Sequence, residues 1–233
     1  MILRQQPLQS QRRAFSCVLL DMDGTLLDSA AGVTASAARA LAAVGAPVPP
    51  AGDLVRLVGP PMLESFREYL GHDELLARRA LRHYRKAYAE HGAHQSVPYA
   101  GITELLKHLH GAGVAMAVAT SKAEDQALRM ARRFGMDQYF SAVCGASDQE
   151  ARWSKADVIA EVLDRLRAAK VDVSAPLMVG DRSHDVAGAA VHGIPTVFAG
   201  WGYGSAGEEA GAAAVAPSPA AVLPVCLALA VSR

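Results

Sequence analysis

Five short apolar runs, Phe15–Leu20, Val114–Ala119, Phe140–Cys144, Leu177–Val179 and Thr196–Phe198, recur along the chain with helical periodicity between most of them. They are nearly continuous in apolar residues, the pattern of strands buried on both faces, whereas a strand with one wet face alternates apolar with polar. Strands separated by amphipathic helices build a parallel sheet with helices on both sides. Each run ends in polar or glycine-rich residues, the place where open parallel sheets gather ligand-binding groups.

The alternation lapses between Asp28 and Pro98, where amphipathic helices are predicted at Ala31–Val44, Pro61–Leu70 and Asp73–Glu90, separated by Pro47-Val48-Pro49-Pro50 and Gly71. The predicted organisation is an N-terminal tail over residues 1–14, a Rossmann-like α/β core over 15–27 and 98–233, and an inserted all-helical cap over 28–97. The Ala-rich C-terminus is expected to close with a short helix near Ala220–Ala230. Lys+Arg and Asp+Glu both total 23, so no basic surface argues for a nucleic acid polymer. Three scattered cysteines, Cys17, Cys144 and Cys226, suggest neither a disulfide framework nor a zinc site, and no stretch reaches the roughly 18 apolar residues of a membrane span. A soluble, cytoplasmic protein is the expectation.

Three strand ends carry the chemistry. Asp21 and Asp23 follow the first run, Thr120 and Ser121 the second, and Asp181 and Asp185 the run Leu177–Val179, so all should meet in one crevice. Carboxylates gathered together repel, and burying them unpaired is costly, which asks for a cation. Oxygen donors alone suit magnesium, whereas zinc would want His or Cys. Lys155, at the start of a helix over Ser154–Ala169 just before the Asp181 strand, can reach the crevice and neutralise a phosphoryl oxygen or a carboxylate nucleophile. Gly24-Thr25 let the backbone turn and offer N–H groups to an anion, placing Thr25 with Ser121 on the substrate side.

Asp21-Met22-Asp23-Gly24-Thr25, Thr120-Ser121-Lys122, Lys155 and Gly180-Asp181-x-x-x-Asp185 resemble, in order and spacing, the four motifs of the haloacid dehalogenase superfamily, over about Phe15 to Gly204. The resemblance implies a Mg2+-dependent phosphatase, a phosphoric monoester hydrolase in which Asp21 attacks phosphorus to form an aspartyl phosphate. Asp23 would protonate the leaving alkoxide and afterwards activate water. Magnesium would be held by Asp21, the backbone carbonyl of Asp23 and Asp181, with Asp185 joining or bracing the set, while Thr120 and Lys155 grip the phosphoryl oxygens. An aspartate at position 23 points to phosphate esters rather than dehalogenation or phosphonate cleavage, with a sugar-phosphate mutase as the alternative.

The insert resembles the helical cap of the phosphoglycolate phosphatase-like branch, which closes over substrate. Leu57-Val58-Gly59-Pro60-Pro61-Met62-Leu63-Glu64-Ser65-Phe66-Arg67 and Gly200-Trp201-Gly202-Tyr203-Gly204-Ser205 are similar to a 5′-nucleotidase-like subgroup. Arg67 and Glu64 are expected to face the substrate from the cap. The implied partner is a small-molecule phosphate ester, phosphoglycolate or a nucleoside monophosphate first, and the protein a monomer or homodimer.

Plainer readings stand beside these. Lys122 is expected on the surface, since one lysine suffices, and His184 likewise, because Ser183-His184-Asp185 are neighbours on one turn and cannot line up as a triad. Gly202-Tyr203-Gly204-Ser205-Ala206-Gly207 fits a dinucleotide fingerprint letter by letter but follows the last predicted strand and reads as a loop. His83, His91 and His94 read as a solvated surface. A phospho-accepting receiver also uses an aspartate, a hydroxyl and a lysine on a parallel sheet, but the paired acids and the helical insert argue against it, and the complete acid set argues against a non-catalytic binding module.

Overall fold

The computed structural model describes residues 15–147 and 152–231; the expected tail over residues 1–14 lies outside them. Strand β1 (Cys17–Leu20) leads through a tight loop to the two-residue β2 (Leu27–Asp28). The chain then passes through helices α1 (Ala30–Ala43), α2 (Ala51–Leu54), α3 (Met62–Tyr69) and α4 (Glu74–Glu90) to β3 (Val97–Pro98). From there helices and strands alternate: α5 (Ile102–Gly111), β4 (Ala115–Ala123), α6 (Glu124–Arg133), β5 (Ala142–Ala146), α7 (Lys155–Ala168), β6 (Pro176–Gly180), α8 (Ser183–Val191), β7 (Thr196–Ala199), β8 (Ala214–Ala216) and α9 (Val222–Val231).

Six strands form one parallel sheet in the order β5-β4-β1-β6-β7-β8. The chain steps outward from β1 through β4 and β5, then returns to the other side of β1, so the order reverses there and a crevice opens above the carboxyl ends of β1, β4 and β6. Leu20 pairs with Val118 on one side and Val179 on the other, which brings the residues following all three strands out side by side.

The continuous apolar runs have the physical reason anticipated for them. On β1, Cys17 and Leu19 join a cluster with Val158, Ile159 and Val162 of α7, while Val18 and Leu20 join the opposite cluster with Ile102 and Leu106 of α5 and Met130 of α6. Both faces are dry, so every position must be apolar. Helix α7 is started by a capping box in which Ser154 accepts from the Asp157 N–H and Asp157 from the Ser154 N–H. The C-terminal helix is present, with Val222 and Cys226 in the core. Strand β8 is an addition to the sequence reading, because Ala214-Val215-Ala216 is too short and too small-sided to register as a pattern. Among the described residues no helix is long and apolar enough to cross a membrane.

Antiparallel pairing of Leu27 with Pro98 and Asp28 with Val97 closes the base of the helical excursion. Within it α1, α3 and α4 share a cluster that includes Ala37, Leu41, Phe66 and Leu81. A smaller cluster of Val33, Val58 and Tyr88 meets Tyr203 of the loop after β7, joining the insert to the rim of the sheet.

Candidate active site

Beyond β1 the chain turns sharply. The Met22 carbonyl accepts from the N–H groups of Leu26 and Leu27, each at 2.9 Å, and the Asp21 N–H donates to the Val179 carbonyl at 2.9 Å. Asp21 is thereby fixed against the end of β6. Gly24 adopts φ +88°, and a Cβ there would lie 2.1 Å from Asp181 Oδ2; one on Gly202, from the loop after β7, would lie 2.3 Å from Asp181 Cβ. The chain can enclose Asp181 this closely only because these positions carry no side chain.

Carboxylate oxygens of Asp21, Asp181 and Asp185 lie within 4.8 Å of one another, all buried. Lys155 Nζ stands 2.6 Å from Asp21 Oδ1 and 2.6 Å from Asp185 Oδ1, and donates to the Ala119 carbonyl at 2.9 Å. A lysine at the first position of a helix opposes the helix dipole, and this one is buried as well; its two carboxylate partners offset both costs. Burial lowers the Lys155 pKa, but Asp185 and Asp21 outweigh it and hold the ammonium above its ordinary range. Asp181 receives the Thr25 hydroxyl at 3.0 Å and the Tyr203 N–H at 2.9 Å.

One lysine does not neutralise three acids. Burial, then the neighbouring Asp185 and Asp23, push Asp21 up to about 7 against the pull of Lys155. Burial, with Asp21 and Asp185, also raises Asp181 well above its ordinary value. A buried set of oxygen donors with unbalanced negative charge fits a hard divalent cation, and Asp21, Asp181 and Asp185 are the residues that would hold it.

The second carboxylate faces elsewhere. Asp23 accepts from Lys122 Nζ at 2.9 and 2.6 Å, and the ammonium lies 4.1 Å from the ring centroid of Tyr88 on α4. Burial works against this charge too, but Asp23 and the two tyrosines hold the Lys122 pKa above normal. A cavity of about 60 Å³ opens between core and insert at this pair. The core contributes Asp23, Ser121, Lys122 and Gln126 to it, and the insert Met62, Leu81, Tyr84 and Tyr88. Ser121 Oγ is buried without a hydrogen-bond partner, a hydroxyl left for a ligand. Thr120, also buried, accepts the Lys122 N–H at 3.3 Å.

Several sequence expectations are corrected here. The Lys122 side chain is 4% exposed rather than on the surface, because the register of β4 with β5 is interrupted between Ala119 and Ala123 and re-aims that stretch. The Thr25 hydroxyl binds Asp181, not the substrate side. Arg67 and Glu64 do not reach the cavity beside Asp23: Arg67 pairs with Glu74 at 2.7 Å and Glu64 at 3.0 Å and lines a separate opening. The Asp23 carboxylate stands apart from the acid cluster, on Lys122, in keeping with the expectation that only its backbone carbonyl serves the cation. Trp153 lines the cavity, and Trp201 Nε1 donates to the Thr25 carbonyl at 3.0 Å. His184 is exposed, in keeping with its plainer reading. Tyr203 went unread: its hydroxyl donates to Asp28 at 2.6 Å and accepts the Ser29 and Ala30 N–H groups at 2.7 and 3.0 Å, pinning the start of the insert.

Residues 18–199 match a family described as haloacid dehalogenase-like hydrolase. The chain is 48% identical over 189 residues to a Mycobacterium tuberculosis protein named tyrosine-protein kinase PtkA, covering 81% of this chain. It spans only 63% of the length of that relative. It is 38% identical to a Pseudomonas aeruginosa 5′-nucleotidase, over 82% of this chain and 85% of that one, and proteins named phosphoglycolate phosphatase also match. A crystal structure of a predicted phosphatase from Clostridium acetobutylicum is similar with a TM-score of 0.83 and 33% identity, over 92% of this chain and 98% of that one.

Proposed function

The chain belongs to the haloacid dehalogenase-like hydrolases, and from that premise we propose that it is a Mg2+-dependent phosphatase that hydrolyses small phosphate monoesters through an aspartyl phosphate on Asp21. The observation that carries this is Asp21 itself, buried 2.6 Å from Lys155 within the acid cluster, with a second carboxylate two residues on that faces the cavity. Asp21 attacks phosphorus while Asp23 gives its proton to the departing ester oxygen. Asp23 then takes a proton from the water that attacks the phosphorus of the aspartyl phosphate, and Asp21 is regenerated. Lys155 holds the Asp21 carboxylate in line, and Thr120 and Ser121 offer hydroxyls to the phosphoryl oxygens. The cation, when bound at Asp21, Asp181 and Asp185, neutralises the acids and draws charge from the phosphoryl group.

The cavity argues for an ester with an apolar or flat body. Tyr84, Tyr88, Met62 and Leu81 form much of its insert side, with the cationic Arg85 among them, and Lys122 on the core side is engaged by Asp23. Nucleoside monophosphates and phosphoglycolate are the first substrates to compare. We place the protein in the cytoplasm, where its three free, buried cysteines stay reduced. kcat/KM measured with Mg2+ over nucleoside monophosphates, phosphoglycolate and sugar phosphates tests the reading; no Mg2+-dependent turnover of any of them overturns it.

A second reading rests on the 48% identity to the protein named a tyrosine-protein kinase: the phosphoryl group passes to a tyrosine hydroxyl rather than to water. Product analysis separates the two, since hydrolysis releases inorganic phosphate and transfer leaves phosphotyrosine.

A further inference from the structure

Arg182 follows Asp181 directly and is 8% exposed, yet none of the chemistry above uses it. Its backbone N–H donates to Asp185 Oδ2 at 3.0 Å, which makes it part of the acid loop. Its guanidinium points the other way, into the insert: Nη1 donates to the carbonyls of Val58 and, at 3.5 Å, Arg56. Nε donates to Glu208 at 2.8 Å, and the same carboxylate group accepts the Ser183 and Ser205 N–H groups at 3.0 and 3.1 Å. Burial works against a charge on Glu208, but Arg182 and those two N–H groups outweigh it and bring its pKa down to about 2. The insert is fitted to this arm: Gly59, at φ +100°, rests on it so closely that a Cβ would lie 2.7 Å from Arg182 Cγ. Leu57, Gly59 and Pro60 in turn line the cavity beside Asp23.

We infer that Arg182 is a positioning residue that couples the seating of the insert's Arg56–Gly59 segment, one wall of the substrate cavity, to the geometry of the Asp181–Asp185 acid loop. A planar fork suits this because Nε meets the Glu208 carboxylate while a second nitrogen, Nη1, reaches the carbonyls beyond it, whereas a lysine offers all its donors from one point. Removing the fork frees the wall without touching the acids' own side chains.

The test compares wild type with Arg182→Met, which keeps the aliphatic stem, and Arg182→Lys. Amide hydrogen exchange at Arg56 to Gly59 should accelerate about ten-fold or more in Arg182→Met, with β1 and β6 unchanged. kcat/KM for a nucleoside monophosphate should fall on the order of ten-fold, while that for acetyl phosphate, which needs little of the wall, should change less than about three-fold. Arg182→Lys should fall between. Unchanged exchange at Arg56 to Gly59, or equal loss on both substrates with exchange raised throughout the protein, would overturn the inference. Should Arg182→Met not fold, Glu208→Gln, which turns an amide toward the guanidinium, is put to the same measurements with the same outcomes expected. The kinetic arm rests on the phosphatase reading; the exchange arm does not, so a protein that turns over neither substrate still tests the coupling.

Discussion

The crevice at the strand ends and the helical wall over it solve the problem of charge in opposite ways. In the crevice, lysines and acids are buried and paired across long stretches of chain, Lys155 to Asp21 over 134 positions and Lys122 to Asp23 over 99. In the insert, Arg67 pairs with Glu64 and Glu74, and Arg78 with Glu74, near neighbours and all part exposed, while the side turned to the cavity is mainly apolar and aromatic with Arg85 among it. Buried ion pairs rarely stabilise a fold and persist where the charges are needed, whereas exposed local pairs contribute little. Under the proposed function the first region holds the chemistry, and the second sets the shape of what reaches it.

The comparison breaks if the crevice tolerates change. Asp21→Asn should lower kcat by about 10⁴-fold or more with an unaltered circular dichroism spectrum, since the nucleophile is lost and its neighbours act as a unit with it. Lys122→Met strands the Asp23 carboxylate, whose side chain is 10% exposed, and should cost roughly 3 kcal/mol in urea unfolding. Adding Asp23→Asn to it should restore stability while the protein stays inactive; a double variant no more stable than Lys122→Met refutes the pairing.

Metal and pH sharpen the contrast. The folded-state pKa of Asp21 is raised to about 7 and that of Asp181 is raised as well, so their contribution to stability is present below the unfolded carboxylate value of about 4. That contribution is lost as pH rises toward 7. The metal-free protein should thus melt lower at pH 8 than at pH 5, and saturating Mg2+ should raise Tm by several degrees at pH 8, on the order of 5 °C, and by less at pH 5. An equal shift at both pH values contradicts the charge argument.

Changes in the wall should be smaller and should show in KM. Met62→Ala is expected to change the ranking of esters by about ten-fold, leaving kcat for acetyl phosphate nearly intact. Arg67→Ala should change KM for no ester and stability by less than about 1 kcal/mol, because its partners are exposed acids of the insert.

What the sequence revealed follows the same division. The strands were legible because burial on both faces forbids polar residues, and the acids because each lies within a few residues of the end of such a run. Lys122 was not, since an interrupted register in β4 decides where it points and no pattern of residue types records that. Arg67 misled for a related reason: an arginine on an amphipathic helix reads the same whether it meets a substrate or Glu64 and Glu74. Trp201, Tyr203 and Arg182 act through a loop and a turn that fold back on distant backbone groups, contacts without periodicity.

The central claim is that Asp21 carries the phosphoryl group, and trapping it is the most direct test. Acid-quenching the enzyme during turnover of a nucleoside monophosphate with Mg2+, then reducing with borohydride, converts an aspartyl phosphate to homoserine that peptide mass spectrometry can place. The account predicts homoserine at position 21, dependent on substrate and Mg2+ and absent in Asp21→Asn. Turnover with no conversion at position 21, or conversion at another carboxylate, would contradict it.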